Sequence, residues 1–478
     1  MAAMSPGSDL PDAGGRVRYT ADAVIPCDGT GRVFRPGVVE VDGSTVVRVG
    51  GVADAGPDRT DAGPERSDAG PGRSDADVGP DRWARGGWTE RRLDGLLLPG
   101  LVNVHCHSPM TLFRGSGENL SLQHWLTEVL WPREARLTAE DAWWGMTLAA
   151  AELLCFGVTT TCEMYFFEDA VADAVLAAGL RAVLTPGLLQ LPGTDGGVDW
   201  WERRLAELVD FHDRRHGEAG RIEVGFGPHA VYTVPMEVLV DTARAARDRD
   251  ALFHIHVAET EHEVDTFTEA HGYSVPEALA RAGVFDGRVL AAHSIWLSDD
   301  DIALYRDHDV AVAHCPQSNA KLASGVARLA DLLDAGLRVG LGTDGPASNN
   351  DLDLWEEMRL AALLARLRAG DAGALPAATA LELATCRGGD ALGRPDLGRL
   401  AAGCPADMVL VDLDDPAFVP LLEDDHLIEH AVWAASSRLV TDVWVAGRQV
   451  VADGQCLTVD GTEARRQVEA RARRLLAG

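Results

Sequence analysis

The chain has 478 residues, too many for one small domain, and its 46% hydrophobic content supports a substantial core. Acidic residues outnumber basic ones 74 to 43, and the resulting net charge of −31 repels phosphate backbones and anionic lipid, so neither nucleic acid nor membrane is an expected partner. Eight scattered cysteines without a CxxC pair point to a reduced, cytoplasmic setting; the start of the chain lacks the pattern of a signal peptide, and no apolar run of about 20 residues exists.

Residues 1–15 read as a disordered tail. "RVRYTADAVIPC" and "GVVEVDGSTVVRVG" are short, Val-rich and turn-bounded, so they read as strands. Residues 54–76 then repeat a seven-residue unit, Asp-Ala-Gly-Pro-x-Arg-Ser/Thr. Each unit carries Gly and Pro and no large apolar residue, so 54–82 is expected to be a low-complexity insertion and not a coiled coil. From Leu96 the rhythm changes. Eight short apolar runs, from "LLLPGLVNVHCH" to "LRVGLGTDG", alternate with amphipathic segments such as "EDAVADAVLAAG" and "GVARLADLLDAG". That alternation predicts an α/β fold, a (β/α)₈ TIM-type barrel over 96–396. The chain then returns to β pattern in "DMVLVDL" and "RLVTDVWVAGRQVVADG". Residues 16–95 and 397–460 are expected to form one small β-sandwich domain from both chain ends, followed by a C-terminal helix over 461–478.

Active groups of such a barrel sit at the C-terminal ends of its strands. The first expected strand ends at His105 and His107, the fourth at His229, the fifth at His256 with Glu259 three residues on, the sixth at His293 and the eighth at Asp344. One histidine at a strand end is usually a satisfied structural group; five strands doing so at one rim is not explained that way. On a strand, residues two apart share a face, so His105 and His107 look the same way and Cys106 the opposite way. His105, His107, His256 and Asp344 offer three nitrogens and one oxygen, a set suited to one divalent transition metal, Zn²⁺ with Fe²⁺ as the alternative. Such an ion would lower the pKa of a water towards about 7. His254, on the side of His256, either supports a neighbouring ligand or fills the core. His314 has no assigned role.

"PGLVNVHCH", "HVAET", "AAHSIWL", "HCPQSNAKLASG" and "GTDGPASNNDLDLWEEMRLAALL" together resemble the amidohydrolase superfamily, in particular its branch of deaminases acting on S-adenosylhomocysteine, methylthioadenosine and related adenosines. "LGRLAAGCPADMVLVDLD" is similar to the family's closing strands. The resemblance implies hydrolysis of a 6-amino group to a 6-oxo group with release of ammonia from a small-molecule nucleoside, in a homo-oligomer. Members with two metals usually bridge them with a carboxylated lysine on a middle strand. Lys321, the only lysine, lies in the SNxKL motif instead, which implies a single metal. By role, the resemblance makes Asp344 the carrier of the water's proton, Glu259 the donor to the adjacent ring nitrogen, and His293 the group that holds and polarises the nucleophile. The plainer reading of Glu259 is a salt bridge at the rim.

For substrate binding, the resemblance implies that Glu134 holds ribose hydroxyls and His229 bonds the purine. An exposed helix glutamate is the alternative for Glu134. Trp125 and Trp131 either line a nucleoside slot or pack an amphipathic helix; Asn319 and Ser348 are expected in loops near the site, Ser348 among the substrate contacts. In the branch, arginines after the third strand hold the S-adenosylhomocysteine carboxylate. Pro186 and Val198 stand at those places here, and Arg203 and Arg204 lie on a helix pattern that reads as a solvated face. The expected substrate therefore has a small or uncharged 5′ group. A guanine deaminase or triazine-type hydrolase is the alternative within the superfamily, and a non-catalytic scaffold the alternative outside it.

Overall fold

The computed structural model describes residues 15–52, 87–191, 197 and 199–477. The seven-residue repeat, the N-terminal tail up to residue 14 and Val198 lie outside the described residues. Eight parallel strands carry the site. They are β1 (Leu101–Cys106), β2 (Val158–Glu163), β3 (Arg181–Leu184), β4 (Ile222–Val224), β5 (Phe253–Val257), β6 (Val289–His293), β7 (Ala311–His314) and β8 (Val339–Leu341). They form two four-stranded arcs in the orders β1-β2-β3-β4 and β5-β6-β7-β8. Parallel bridges Phe226↔Phe253 and Ala230↔His256 join the arcs on one side.

On the other side, no ladder pairs β8 with β1 among the described residues. The seam is held by single bonds instead. Asp344 N–H donates to the His105 carbonyl at 3.0 Å. Asn103 Nδ2 donates to Thr343 Oγ1 at 2.8 Å, and Thr343 N–H to Asn103 Oδ1 at 3.1 Å. Gly342 makes this approach possible: a Cβ there would stand 2.7 Å from His105 Cβ.

The run expected as one strand from Leu96 to His107 divides at Gly100, where a Cβ would meet Thr159 Oγ1 at 1.9 Å. Upstream, Trp88–Pro99 belongs to another sheet, between Arg16–Val24 (parallel) and Met408–Val411 (antiparallel). That sheet has eight strands, with Val440–Val445, Arg448–Ala452 and Gln455–Cys456 on one flank and Gly37–Asp42 and Thr45–Gly51 on the other. Strands from both chain ends join in this one continuous mixed sheet; the expected two-sheet sandwich is not found among the described residues. Leu96 and Leu98 face the large core shared with the barrel helices, while Leu97 joins a separate cluster with Tyr19, Val41, Met408 and Trp444. Alternation along one strand thus serves two apolar layers.

Two segments roof the C-terminal ends of the parallel strands. One is a 3₁₀ turn at Ser108–Phe113; the other runs from Leu122 to Glu134 and is π-helical over Trp125–Leu130. The helix Gly461–Ala477 backs them with Val468 and Leu475, and Arg136 donates to the Leu475 carbonyl at 2.6 Å. The helix expected over 325–336 is shorter, Leu329–Asp334. Among the described residues no helix is long and apolar enough to cross a membrane.

Candidate active site

Strand ends bring the candidate ligands together. The His105 and His107 rings lie 4.8 Å apart, as strand alternation requires. Their Nε2 atoms stand 3.4 and 3.3 Å from Asp344 Oδ1, and His256 Nε2 stands 3.3 Å from His107 Nε2. All four residues are buried. Cys106 takes no part in either group of candidate ligands; its Sγ lies 3.4 Å from the Asp344 carbonyl.

Hydrogen bonds on the far side of two rings fix their protons. His107 Nδ1 lies 2.5 Å from the Met164 carbonyl and His256 Nδ1 2.8 Å from the His229 carbonyl. A carbonyl only accepts, so both Nδ1 atoms carry hydrogen and both Nε2 atoms carry lone pairs. Two lone pairs then face each other at 3.3 Å in a buried site, an arrangement that a cation between them relieves. Donors around a tetrahedral zinc with bonds of about 2.0–2.1 Å stand about 3.3–3.4 Å apart, which matches the three contacts. His105 Nε2 is buried without a hydrogen-bond partner. The residues present therefore fit a divalent transition metal.

Asp344 is held on both oxygens. Oδ2 accepts from Ser318 Oγ (2.6 Å) and Ser348 Oγ (2.9 Å), and Oδ1 from Gly345 N–H (2.8 Å). His293 can also join His105 and Asp344 in a ligand group. Its Nδ1 bonds Asn319 Oδ1 at 2.8 Å, and its Nε2 faces Glu259 Oε2 at 3.9 Å. Burial alone would lower the His293 pKa, but the carboxylates of Glu259 and Asp344 raise it. Burial pushes Glu259 up to about 7, with Asp344 and Glu263 adding to the rise and His293 opposing it. Both His293 (φ 68°) and Asp344 (φ 59°) adopt left-handed backbone, a strained state for non-glycine residues that often marks functional positions.

A cleft lined by His107, His256, Glu259, His293 and Asp344 opens between the strand ends and the roof. Glu134, Trp131, His229 and Tyr165 line the same cleft, with the His229 ring 4.8 Å from that of His256 and 6.3 Å from that of Trp131. Glu134 is buried, not an exposed helix residue, and accepts from Tyr165 Oη at 2.9 Å. Burial raises its pKa to about 8. Trp125 and Trp131 both line the cleft. His229 Nδ1 bonds Thr233 Oγ1 at 2.9 Å, and burial lowers its pKa to about 3, so the ring is neutral.

Ser348 departs from expectation. It is not among the residues lining the cleft, because the turn after Asp344 carries it behind that carboxylate. Arg204 departs as well. Its side chain is 16% exposed and bonds both Glu168 oxygens at 2.8 and 3.0 Å, in a second cavity that shares Glu134, Phe166, Gly187 and Leu189 with the cleft.

Sequence reasoning missed Glu263, Ser318 and Glu357. Glu263 accepts from the N–H groups of Ala258 (3.3 Å) and Glu259 (2.9 Å), fixing the turn that carries Glu259. Glu357 is fully buried and accepts from Gln317 N–H (3.0 Å) and Asn349 Nδ2 (2.6 Å), so it ties the short helix of Ser318, Pro316–Lys321, to the loop of Asp344. Its helix, Leu354–Ala369, buries Leu354, Met358, Ala361 and Ala365, and Glu357 lies on that stripe. An acid on an apolar stripe was the available signal.

Glu163 gives a separate expectation. Its Oε1 accepts from Ser108 N–H at 2.8 Å, its Oε2 is buried without a partner, and burial raises its pKa to about 8. The unfolded value is about 4.3. The native state therefore keeps a proton that the unfolded chain loses, and stability falls as pH rises from about 4.5 to 8. Glu163→Gln removes that slope. Its Tm relative to the unsubstituted protein is expected to rise by roughly 1–4 °C between pH 5 and pH 8.5; parallel Tm curves would refute the assignment.

The chain matches the Amidohydrolase family over residues 96–450. It is 44% identical over 380 residues to a 5-methylthioadenosine/S-adenosylhomocysteine deaminase of Desulforudis audaxviator, covering 79% of this chain and 86% of the relative. It is 42% identical over 383 residues to a 5′-deoxyadenosine deaminase of Methanosarcina mazei, covering 80% and 87%. The crystal structure of an adenosine deaminase from Xanthomonas campestris with bound zinc superimposes with a TM-score of 0.85 at 33% identity, covering 98% of this chain and all of that one. With a family match across most of its length and relatives this similar over four fifths of it, the chain belongs to the amidohydrolase family.

Proposed function

We propose that this protein is a metal-dependent aminohydrolase that converts the 6-amino group of an adenosine-type nucleoside to a 6-oxo group and releases ammonia. One observation carries the reading: bare ring nitrogens converge beside Asp344 in a cleft where a carboxyl with a pKa of about 7, Glu259, stands 3.9 Å from His293. His105, His107, His256 and Asp344 hold one divalent ion, Zn²⁺ with Fe²⁺ as the alternative, and the two strand arcs act as one barrel around it. When bound, the ion supplies Lewis acidity that activates water for attack on an electron-poor ring carbon. Asp344 takes the proton of the water and delivers it to the departing amine. Glu259 protonates the neighbouring ring nitrogen, so that charge does not accumulate in the ring, and takes back the remaining hydroxyl proton as the 6-oxo group forms and ammonia leaves. His293, kept in orientation by Asn319, steadies the attacking oxygen. In the same cleft Glu134 accepts from ribose hydroxyls, His229 bonds the purine, and Trp131 flanks the base.

The 5′ end is read from charge. Pro186 has no side-chain donor, and the guanidinium of Arg204 is already engaged by Glu168. Among the described residues that line the cleft, a substrate carboxylate finds no arginine or lysine side chain, and an uncompensated desolvated charge costs roughly 2–5 kcal/mol. The expected order of kcat/KM is therefore adenosine or 5′-deoxyadenosine above S-adenosylhomocysteine by at least about tenfold. Ammonia release from these three, methylthioadenosine, guanine and cytosine checks both claims. Guanine as the best substrate would refute the nucleoside reading; S-adenosylhomocysteine as the best would refute only the reading of the 5′ end.

A further inference from the structure

We propose that His254, with Thr185 behind it, is a positioning residue that fixes His105 in the ring state with a bare Nε2 and so sets how tightly the centre holds its ion. The inference rests on the reading of His105 as a ligand. His254 lies on β5, two residues before His256, and faces the interior beneath the candidate ligands. Its ring stands nearly perpendicular to that of His105, with centroids 4.8 Å apart.

Three bonds form a line. His105 Nδ1 and His254 Nε2 are 2.9 Å apart, His254 Nδ1 and Thr185 Oγ1 are 2.9 Å apart, and Thr185 Oγ1 lies 3.1 Å from the Glu163 carbonyl. His105, His254 and Thr185 are all 0% exposed, so water cannot substitute for a lost partner. The line ends on an oxygen that only accepts. With the Thr185 hydroxyl given to that carbonyl, Thr185 Oγ1 accepts from His254 Nδ1–H. His254 Nε2 is then an acceptor, and His105 Nδ1 must donate to it. The lone pair of His105 is left on Nε2, the atom turned toward Asp344. The opposite polarity would put a proton on His105 Nε2. That atom is buried and forms no hydrogen bond, and Asp344 Oδ1 stands 3.4 Å from it. Only the first polarity leaves no buried N–H stranded. Cys162 Sγ, 3.6 Å from His254 Nδ1, is a weaker acceptor at the same point.

The test is zinc affinity, measured on the purified full chain by competition with a chromophoric chelator, without reference to turnover. His254→Leu is expected to weaken zinc binding about 10- to 100-fold, in line with the loss of an outer partner of a histidine ligand. His254→Gln, whose amide oxygen can accept from Nδ1–H, should recover part of it. Thr185→Val should weaken binding several-fold, and Thr185→Ser, which keeps the hydroxyl, should bind as the unsubstituted protein does. A role in packing alone predicts the reverse order, because valine keeps the shape of threonine and serine loses its methyl group. The proposal is overturned if His254→Leu and Thr185→Val stay folded by circular dichroism and hold zinc within twofold of the unsubstituted protein. If His254→Leu does not fold, the Thr185 pair decides by the same criterion. Absence of stoichiometric zinc from the unsubstituted protein is a distinct result that removes the metal centre itself.

Discussion

Stripping the metal with a chelator, or replacing His256 with alanine, is expected to lower deamination by on the order of 10³ or more while the fold persists. The size follows from what His256 does. Its Nε2 faces His107 Nε2 at 3.3 Å, and its Nδ1–H is tied to the His229 carbonyl, so the ring is set for donation before any ion arrives. Alanine leaves three of four donors and an open edge toward the cleft. The fold persists because the ladder of β5 with β6 is made by the backbone, and the apolar layers lie lower in the barrel and outside it. The measurements are ammonia release, metal per chain by elemental analysis, and Tm of the metal-free forms. Zinc returned to the stripped protein should restore activity, and zinc added to His256→Ala should not. Active protein with no stoichiometric transition metal would end the proposal.

The parts of the site legible in the sequence are those set by local geometry. Two histidines two apart on a strand must share a face, and strand ends on one rim must converge, so the grouping of His105, His107, His256 and Asp344 follows from the sequence pattern. Parts that depend on which loops meet were hidden. Ser348 lies four residues from Asp344, and nothing local says that its hydroxyl bonds that carboxylate instead of facing the cleft. Arg204 occupies a helix face that looks solvated until Glu168, at the start of another helix, is found against it. His254 shares a strand face with His256, which fitted both support and core filling; only the distance to His105 separates the two. The terminal strands were recognisable from their valines, whereas their joining into one sheet depends on pairings between residues some 300 apart, such as Leu98 with Val409. The division of the first long apolar run at Gly100 had a visible cue in the Pro-Gly pair, which the continuous hydrophobic pattern outweighed.

Glu259→Gln is expected to keep metal and substrate binding and to lower kcat by about 10² or more. Glutamine preserves the shape of the side chain, and the turn that carries it is fixed from the backbone by Glu263, so the cleft should be unchanged. What is lost is a transferable proton. Glu259 is poised to give one: burial, with Asp344 and Glu263, lifts its pKa to about 7 against the opposing pull of His293. The sign of the pH dependence follows. Below about 7 the carboxyl holds its proton and can donate it to the ring; above, it is ionised and cannot. In the unsubstituted protein kcat/KM should therefore decline as pH rises through about 7, and the residual activity of Glu259→Gln should lack that decline. Both measurements are needed because a binding role makes a different forecast. If Glu259 only anchored the base, the glutamine amide would raise KM and leave kcat in place, and the alkaline decline would persist in the variant. A KM effect without a kcat effect would thus remove Glu259 from the chemistry and leave the ring nitrogen without a donor among the residues that line the cleft beside it, His293 excepted.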